Sequence, residues 1–84
     1  MRHQAQQDDY LLSRIQAGWV AIVGPDIAAL TKPRGLHSGT LKLACDGPIA
    51  LEVHHLAEPL IARINTHLGR VAITRLRLVQ WGSP

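Results

Sequence analysis

Residues 71–81, "VAITRLRLVQW", decide how the fold is interpreted. The stretch alternates like a β-strand, yet both of its faces are apolar until Arg75 and Arg77 interrupt one of them. Side chains in a strand point alternately to opposite faces. One face would therefore carry Ala72, Thr74, Leu76 and Leu78, and the other Val71, Ile73, Arg75, Arg77, Val79 and Trp81. Because two arginines are rarely buried without partners, we expect the leucine face to point inward and the arginines outward.

The residues before this strand predict two helices and a hairpin. In residues 10–23 apolar side chains recur every three or four positions, which is typical of an amphipathic helix. Asp8 or Asp9 would cap it, and Gly24-Pro25 would end it. Residues 31–36 and 40–45 predict a hairpin whose first strand, which contains Pro33, is an edge strand or irregular. Residues 49–69 predict a second helix that is kinked or divided near Pro59.

The order helix, strand, strand, helix, strand predicts an α+β fold. A three-stranded sheet would carry both helices on one face and leave the other open. The chain has 84 residues and no Phe, so we expect a single domain with an aliphatic core. Residues 1–7 and 82–84 are predicted to be disordered.

The open face of the predicted sheet would be basic. Residues 1–30 carry two basic and three acidic side chains, whereas residues 31–84 carry seven and three. Lys32, Arg34 and Lys42 would join the two arginines on the outer face, with Trp81 at its border. Such a face suits the phosphates of nucleic acid, or an acidic protein surface, or merely keeps an open sheet soluble. Trp81 would either stack on a base or cover the edge of the core.

Several classes of protein fit the sequence poorly. Cys45 is the only cysteine, so an intramolecular disulfide is excluded and a reducing, cytoplasmic compartment is favoured. The chain has no apolar run of about 18 residues, which argues against a membrane span. Its five histidines do not follow a metal-binding pattern, and no nucleophile motif or phosphate loop is present. We therefore expect no enzyme activity, no cofactor and no metal.

The motifs occur in a recognisable order. They are Trp19, Val23-Gly24, the polar segment 31–33, residues 39–43, a leucine-rich helix over 56–69 that ends in "IN..LG", and the basic strand 71–78. Over about residues 10–80 this order resembles the DciA family of bacterial replicative-helicase operators or loaders. The resemblance implies a KH-like domain that binds a DnaB-type hexameric helicase and DNA and has no ATPase of its own. The GxxG loop with which ordinary KH domains clamp nucleic acid is absent, so that binding mode is not carried over.

The resemblance makes the functional expectation specific. It implies a nucleoid-associated replication accessory protein that binds the replicative helicase and single-stranded DNA and assists helicase loading. Family members are longer, so the chain is expected to be the N-terminal domain of a longer protein. The alternative is a protein-interaction module or general nucleic-acid-binding domain without loading activity. A homodimer formed by strand or domain exchange is also expected. The predicted binding residues are Lys32, Arg34, Lys42, Arg70, Arg75, Arg77 and Trp81.

Overall fold

A computed structural model describes residues 2–82, with side chains from residue 6 onward. Its elements are α1 (Arg2–Ala17), α2 (Trp19–Val23), α3 (Pro25–Leu30), β1 (Thr31–His37), β2 (Thr40–Cys45), α4 (Gly47–His55), α5 (Ala57–Leu68) and β3 (Arg75–Gln80). The predicted α+β class and the order of helical and extended segments are confirmed. Met1, Ser83 and Pro84, for which disorder was predicted, lie outside the described residues.

Each long helical segment is divided where its sequence disfavours a continuous helix. Gly18 separates α1 from α2, and Gly24 (φ 90°) separates α2 from α3, which has Pro25 in its first turn. The predicted break near Pro59 occurs at Leu56, between α4 and α5. Pro59 then lies in the first turn of α5, where a missing N–H costs no helical hydrogen bond.

The first helix begins earlier than the sequence pattern indicates. α1 starts at Arg2, so residues 2–7 are helical and Asp8 and Asp9 lie inside the helix rather than capping it. Asp8 is buried, and its Oδ2 accepts a hydrogen bond from the backbone N–H of Ser38 at 3.3 Å. Ser38 is in the turn of the β1–β2 hairpin. Asp8 therefore joins α1 to the hairpin instead of starting a helix.

The sheet has the order β1-β2-β3. β1 is antiparallel to β2, and β3 is parallel to β2, so α4 and α5 form the crossover that parallel pairing requires. The register of β1 shifts between Pro33 and Gly35, which confirms the prediction of an irregular edge strand. In the hairpin turn Ser38 (φ 47°) and Gly39 (φ 86°) are both left-handed, as a tight two-residue turn requires.

The predicted third strand over residues 71–81 is too long. β3 begins at Arg75, and residues 71–74 form a connection held by the side chain of Asn65, which hydrogen-bonds to Ala72 and Ile73. Ile73, predicted to share the outer face with the arginines, is only 1% exposed and belongs to the core. Period-two alternation is not maintained through this connection, because its backbone is not in the ladder.

The core lies between the helices and the inner face of the sheet. Its largest fully buried side chains are Ile15, Leu41, Leu43, Ile64 and Ile73. Trp19 closes one end, where its indole Nε1 donates to Thr31 Oγ1 at 3.0 Å. The aliphatic core predicted from the composition is confirmed. Among the described residues, no helix combines the length and apolarity needed to cross a membrane.

Candidate nucleic-acid interface

The outer face of the sheet is built from strands that contain no acidic residue. β1, β2 and β3 together hold five of the nine lysines and arginines of the chain and none of its six acids. These five side chains are exposed, and no salt bridge joins them to an acid within the described part of the chain. The positive charge of this face is thus not neutralised by ion pairs with acidic side chains of the described residues.

The strand register places like charges side by side. Lys42 of β2 is the direct partner of Arg77 in β3, and Thr40 is the partner of Arg75. Directly opposed like charges destabilise a sheet by a few tenths of a kcal/mol up to about 1 kcal/mol. An anion bound between Lys42 and Arg77 would attract both side chains and so offset their mutual repulsion. The pair therefore lowers the stability of the free sheet but favours the binding of an anion.

An open groove of about 640 Å³ runs along this face. Lys42, Arg75 and Arg77 line one part of it, while His37 and Gly35 line the part contributed by β1. Gly35 is the partner of Lys42 on the β1 side, and its missing side chain leaves space beside the lysine. Apart from Thr40 and His37, the polar side chains of the groove only donate hydrogen bonds, as phosphate binding requires.

The structure brings together some of the predicted binding residues and separates others. Lys42, Arg75 and Arg77 share the groove. Lys32 and Trp81 line a second cavity of about 510 Å³, next to Trp19 and Pro33.

Arg34 and Arg70 are the other predicted residues. Arg34 is exposed at the irregularity of β1. Arg70 follows α5, outside the sheet, and does not line the groove.

Ala44 of β2 is the register partner of Lys32 in β1 and of Val79 in β3. By alternation along β2, Ala44 belongs to the same face as Lys42, but it is 0% exposed, since its single methyl group lies between the longer side chains of Lys32 and Val79 in the register. Trp81 is 39% exposed, and its backbone N–H donates to the carbonyl oxygen of Cys45 at 3.0 Å. The indole is thus half covered, and both stacking and covering the core edge stay predictions.

Three residues important for this face were missing from the sequence-based prediction. His37 and Gly35 line the groove because the hairpin register pairs them with Thr40 and Lys42. Their distance along the chain from the predicted turn was the sequence signal that could have placed them there. The only sequence signal for Asn65 was its place as the asparagine of the "IN..LG" motif. It fixes the connection into β3 and so positions Arg75 and Arg77.

Two observations on the described residues concern catalytic and metal chemistry. Cys45 is buried, and burial, followed by the charge of Asp46, raises the pKa of its thiol, which disfavours the nucleophilic thiolate. No group of three His, Cys, Asp or Glu side chains in the described part of the chain could hold a metal ion.

The fold and the groove define a small α+β domain with an acid-free, basic sheet face. The family model described as "Dna[CI] antecedent, DciA" matches residues 1–78, and the chain therefore belongs to the DciA family. No curated protein matches the chain. The DciA family is the DnaB-helicase loader family, which supports a role associated with replication. It is a family of replication accessory proteins not known as catalytic.

Proposed function

We propose that this domain is a replication accessory protein that binds a DnaB-type helicase and single-stranded DNA and assists helicase loading. Family membership supports the replication role. The DNA part is supported by one observation above all: an acid-free groove in which Lys42 lies opposite Arg77, next to Arg75. The same proposal includes a cytoplasmic, nucleoid-associated location and a KH-like fold.

The shape of the groove favours single-stranded over double-stranded DNA. In the described part of the chain the outer face is a three-stranded sheet from which no helix projects, so it lacks the element that most often enters a major groove. An extended strand can instead lie along the basic groove. Arg75 and Arg77 are two residues apart on β3, hence about 7 Å apart, and can contact different phosphates. Because such contacts are to the backbone, we expect little sequence preference.

The test measures the affinity for a fluorescent oligothymidine by anisotropy at several salt concentrations. The double variant Arg75→Ala, Arg77→Ala should bind more weakly. Its log–log salt slope should be shallower by about 1.4, since each single-strand phosphate contact contributes about 0.7. The variant Arg63→Ala, Arg70→Ala removes the same charge from outside the groove and should change the slope much less. Binding that ignores salt, or equal losses in both variants, would contradict the proposed DNA site.

The alternative function is a protein-interaction module whose DNA contacts come from elsewhere. The exposed edge of β3 favours this candidate, because strand edges bind other chains. A pull-down in which the domain retains the helicase, together with undetectable binding of oligothymidine at low salt, would select it over the DNA-binding proposal.

A further inference from the structure

The two edges of the sheet differ in how they are protected. β1 has Pro33, which lacks an N–H, and its register shifts next to this residue. The side chain of Gln16 in α1 also donates to the carbonyl oxygen of Pro33 at 3.0 Å. These are devices that block further strand pairing. β3, the opposite edge, is six residues long, is paired in regular register and has no proline.

The backbone of β3 presents a row of free groups. The N–H groups of Arg75 and Trp81 donate to β2-side carbonyl oxygens, those of Gly39 (3.2 Å) and Cys45 (3.0 Å). Alternate residues of a strand direct their N–H and C=O to opposite sides, so those of Leu76, Leu78 and Gln80 point away from β2. No helix, loop or side chain in the described part of the chain hydrogen-bonds to these groups. The edge is therefore open for a further strand.

The side chains along this edge indicate what such a strand would carry. Leu76 and Leu78 are half-buried, although their register partners Leu41 and Leu43 are fully buried. The core is thus incompletely covered at the edge. On the other face Arg75 and Arg77 are exposed. An added strand would place alternate side chains beside the leucines and beside the arginines.

We infer that the free edge of β3 binds an extended segment of a partner protein in which acidic and apolar residues alternate. Backbone hydrogen bonds to Leu76, Leu78 and Gln80 would give affinity, and the two side-chain rows would give selectivity. A second copy of this chain fits less well. It would bring Arg75 and Arg77 of both copies together, and each chain carries a net charge of +3. The inference does not depend on DNA binding.

The probe is a short fluorescent peptide of alternating valine and glutamate, titrated with the whole chain and followed by anisotropy. Leu78→Pro removes an edge N–H but no hydrogen bond to β2, and proline is tolerated on such an edge. It should weaken binding at least about tenfold, because a peptide carbonyl loses its donor. The matched variant Leu78→Ala removes the side chain but keeps the N–H, and its affinity should stay within about threefold. A valine–lysine peptide should bind much more weakly than the glutamate peptide.

A second pair of variants covers the case in which Leu78→Pro unfolds. Gln80 is exposed and its N–H faces the same edge, so Gln80→Pro and Gln80→Ala repeat the comparison without a change in the core. The inference is overturned if the glutamate peptide does not saturate, if the lysine peptide binds equally, or if folded proline variants bind as well as the alanine variants. A dimer by light scattering that Gln80→Pro converts to monomer would assign the edge to a second copy, and would also overturn it.

Oligothymidine binding, measured on the same proteins, separates this inference from the proposed function. The proline variants keep both arginines and should retain their affinity for DNA. Absence of peptide binding in the wild type, with DNA binding intact, refutes only the edge site, whereas absence of DNA binding in the wild type refutes only the DNA site.

Discussion

Replacing Asn65 by alanine should destabilise the domain more than its half-buried position suggests. Oδ1 of Asn65 accepts hydrogen bonds from the backbone N–H groups of Ala72 and Ile73, both at 2.9 Å. Its Nδ2 donates to the carbonyl oxygen of Ile73, also at 2.9 Å. One side chain thus contacts three backbone groups of the connection that leads from α5 into β3. Two of them, the N–H and C=O of Ile73, depend on Asn65, whereas the Ala72 N–H also donates to the carbonyl oxygen of Arg70 at 3.0 Å.

The size of the effect follows from these three contacts. A protein hydrogen bond contributes about 1 kcal/mol net, and a buried group left without a partner costs about 1–3 kcal/mol. Ile73 is buried, so its N–H and C=O would not readily gain water after the substitution. We therefore expect Asn65→Ala to lower the free energy of unfolding by about 3 kcal/mol. At about 4–8 °C per kcal/mol for a domain of this size, the melting temperature should fall by about 12–24 °C.

Urea denaturation followed by circular dichroism measures this loss. Thr66→Ala, at the exposed neighbouring position, should leave the midpoint nearly unchanged. Asn65→Asp keeps the two accepted hydrogen bonds but turns a carboxylate oxygen toward the Ile73 carbonyl oxygen where Nδ2 donated, so it should also be less stable than the wild type. If Asn65→Ala remains within about 0.5 kcal/mol of the wild type, the range of an ordinary surface substitution, the role assigned to Asn65 is wrong.

Two further predictions concern single side-chain contacts, and both are measured by denaturant midpoints. The Thr31 hydroxyl accepts from Trp19 Nε1 (3.0 Å) and donates to the Ile27 carbonyl oxygen (2.7 Å), so Thr31→Val should cost about 2 kcal/mol. Thr31→Ser should cost much less, and equal losses would contradict this. A Cβ at Gly18 would lie 2.7 Å from the His67 ring, but this ring is the end of an exposed side chain that can turn aside, and Gly18 has a negative φ (−102°). Gly18→Ala should therefore stabilise the domain by up to about 1 kcal/mol, because alanine restricts the unfolded chain. A loss of stability that disappears in a His67→Ala background would contradict this, because it would show that the ring cannot move aside.

Features governed by local chemistry could be predicted from the sequence. Pro59 and Gly24-Pro25 limit helices through their own backbones, so the divided helices were foreseeable. Period-two alternation correctly placed Arg75 and Arg77 on one exposed face, because side-chain direction within a strand depends only on the strand.

Features set by distant contacts could not be predicted in this way. The start of β3 depends on the side chain of Asn65, and the burial of Asp8 depends on the hairpin turn thirty residues away. Ala44 is buried by longer neighbours on both adjacent strands. The groove itself requires the parallel register that pairs Lys42 with Arg77, which an alternating pattern does not specify.

The two proposed surfaces meet at the same side chains, and this has an electrostatic consequence. Arg75 and Arg77 line the groove and also lie along the free edge. Carboxylates of a strand added to that edge would lie about 5 Å from the arginines, well within the Debye length of about 8 Å at physiological salt. They would neutralise the charge that attracts phosphate. Acidic peptide and single-stranded DNA would therefore weaken each other's binding by the same factor, as linkage between two sites requires. A domain with this arrangement would bind single-stranded DNA more weakly while it holds an acidic partner segment, and the acidic segment more weakly while it holds DNA.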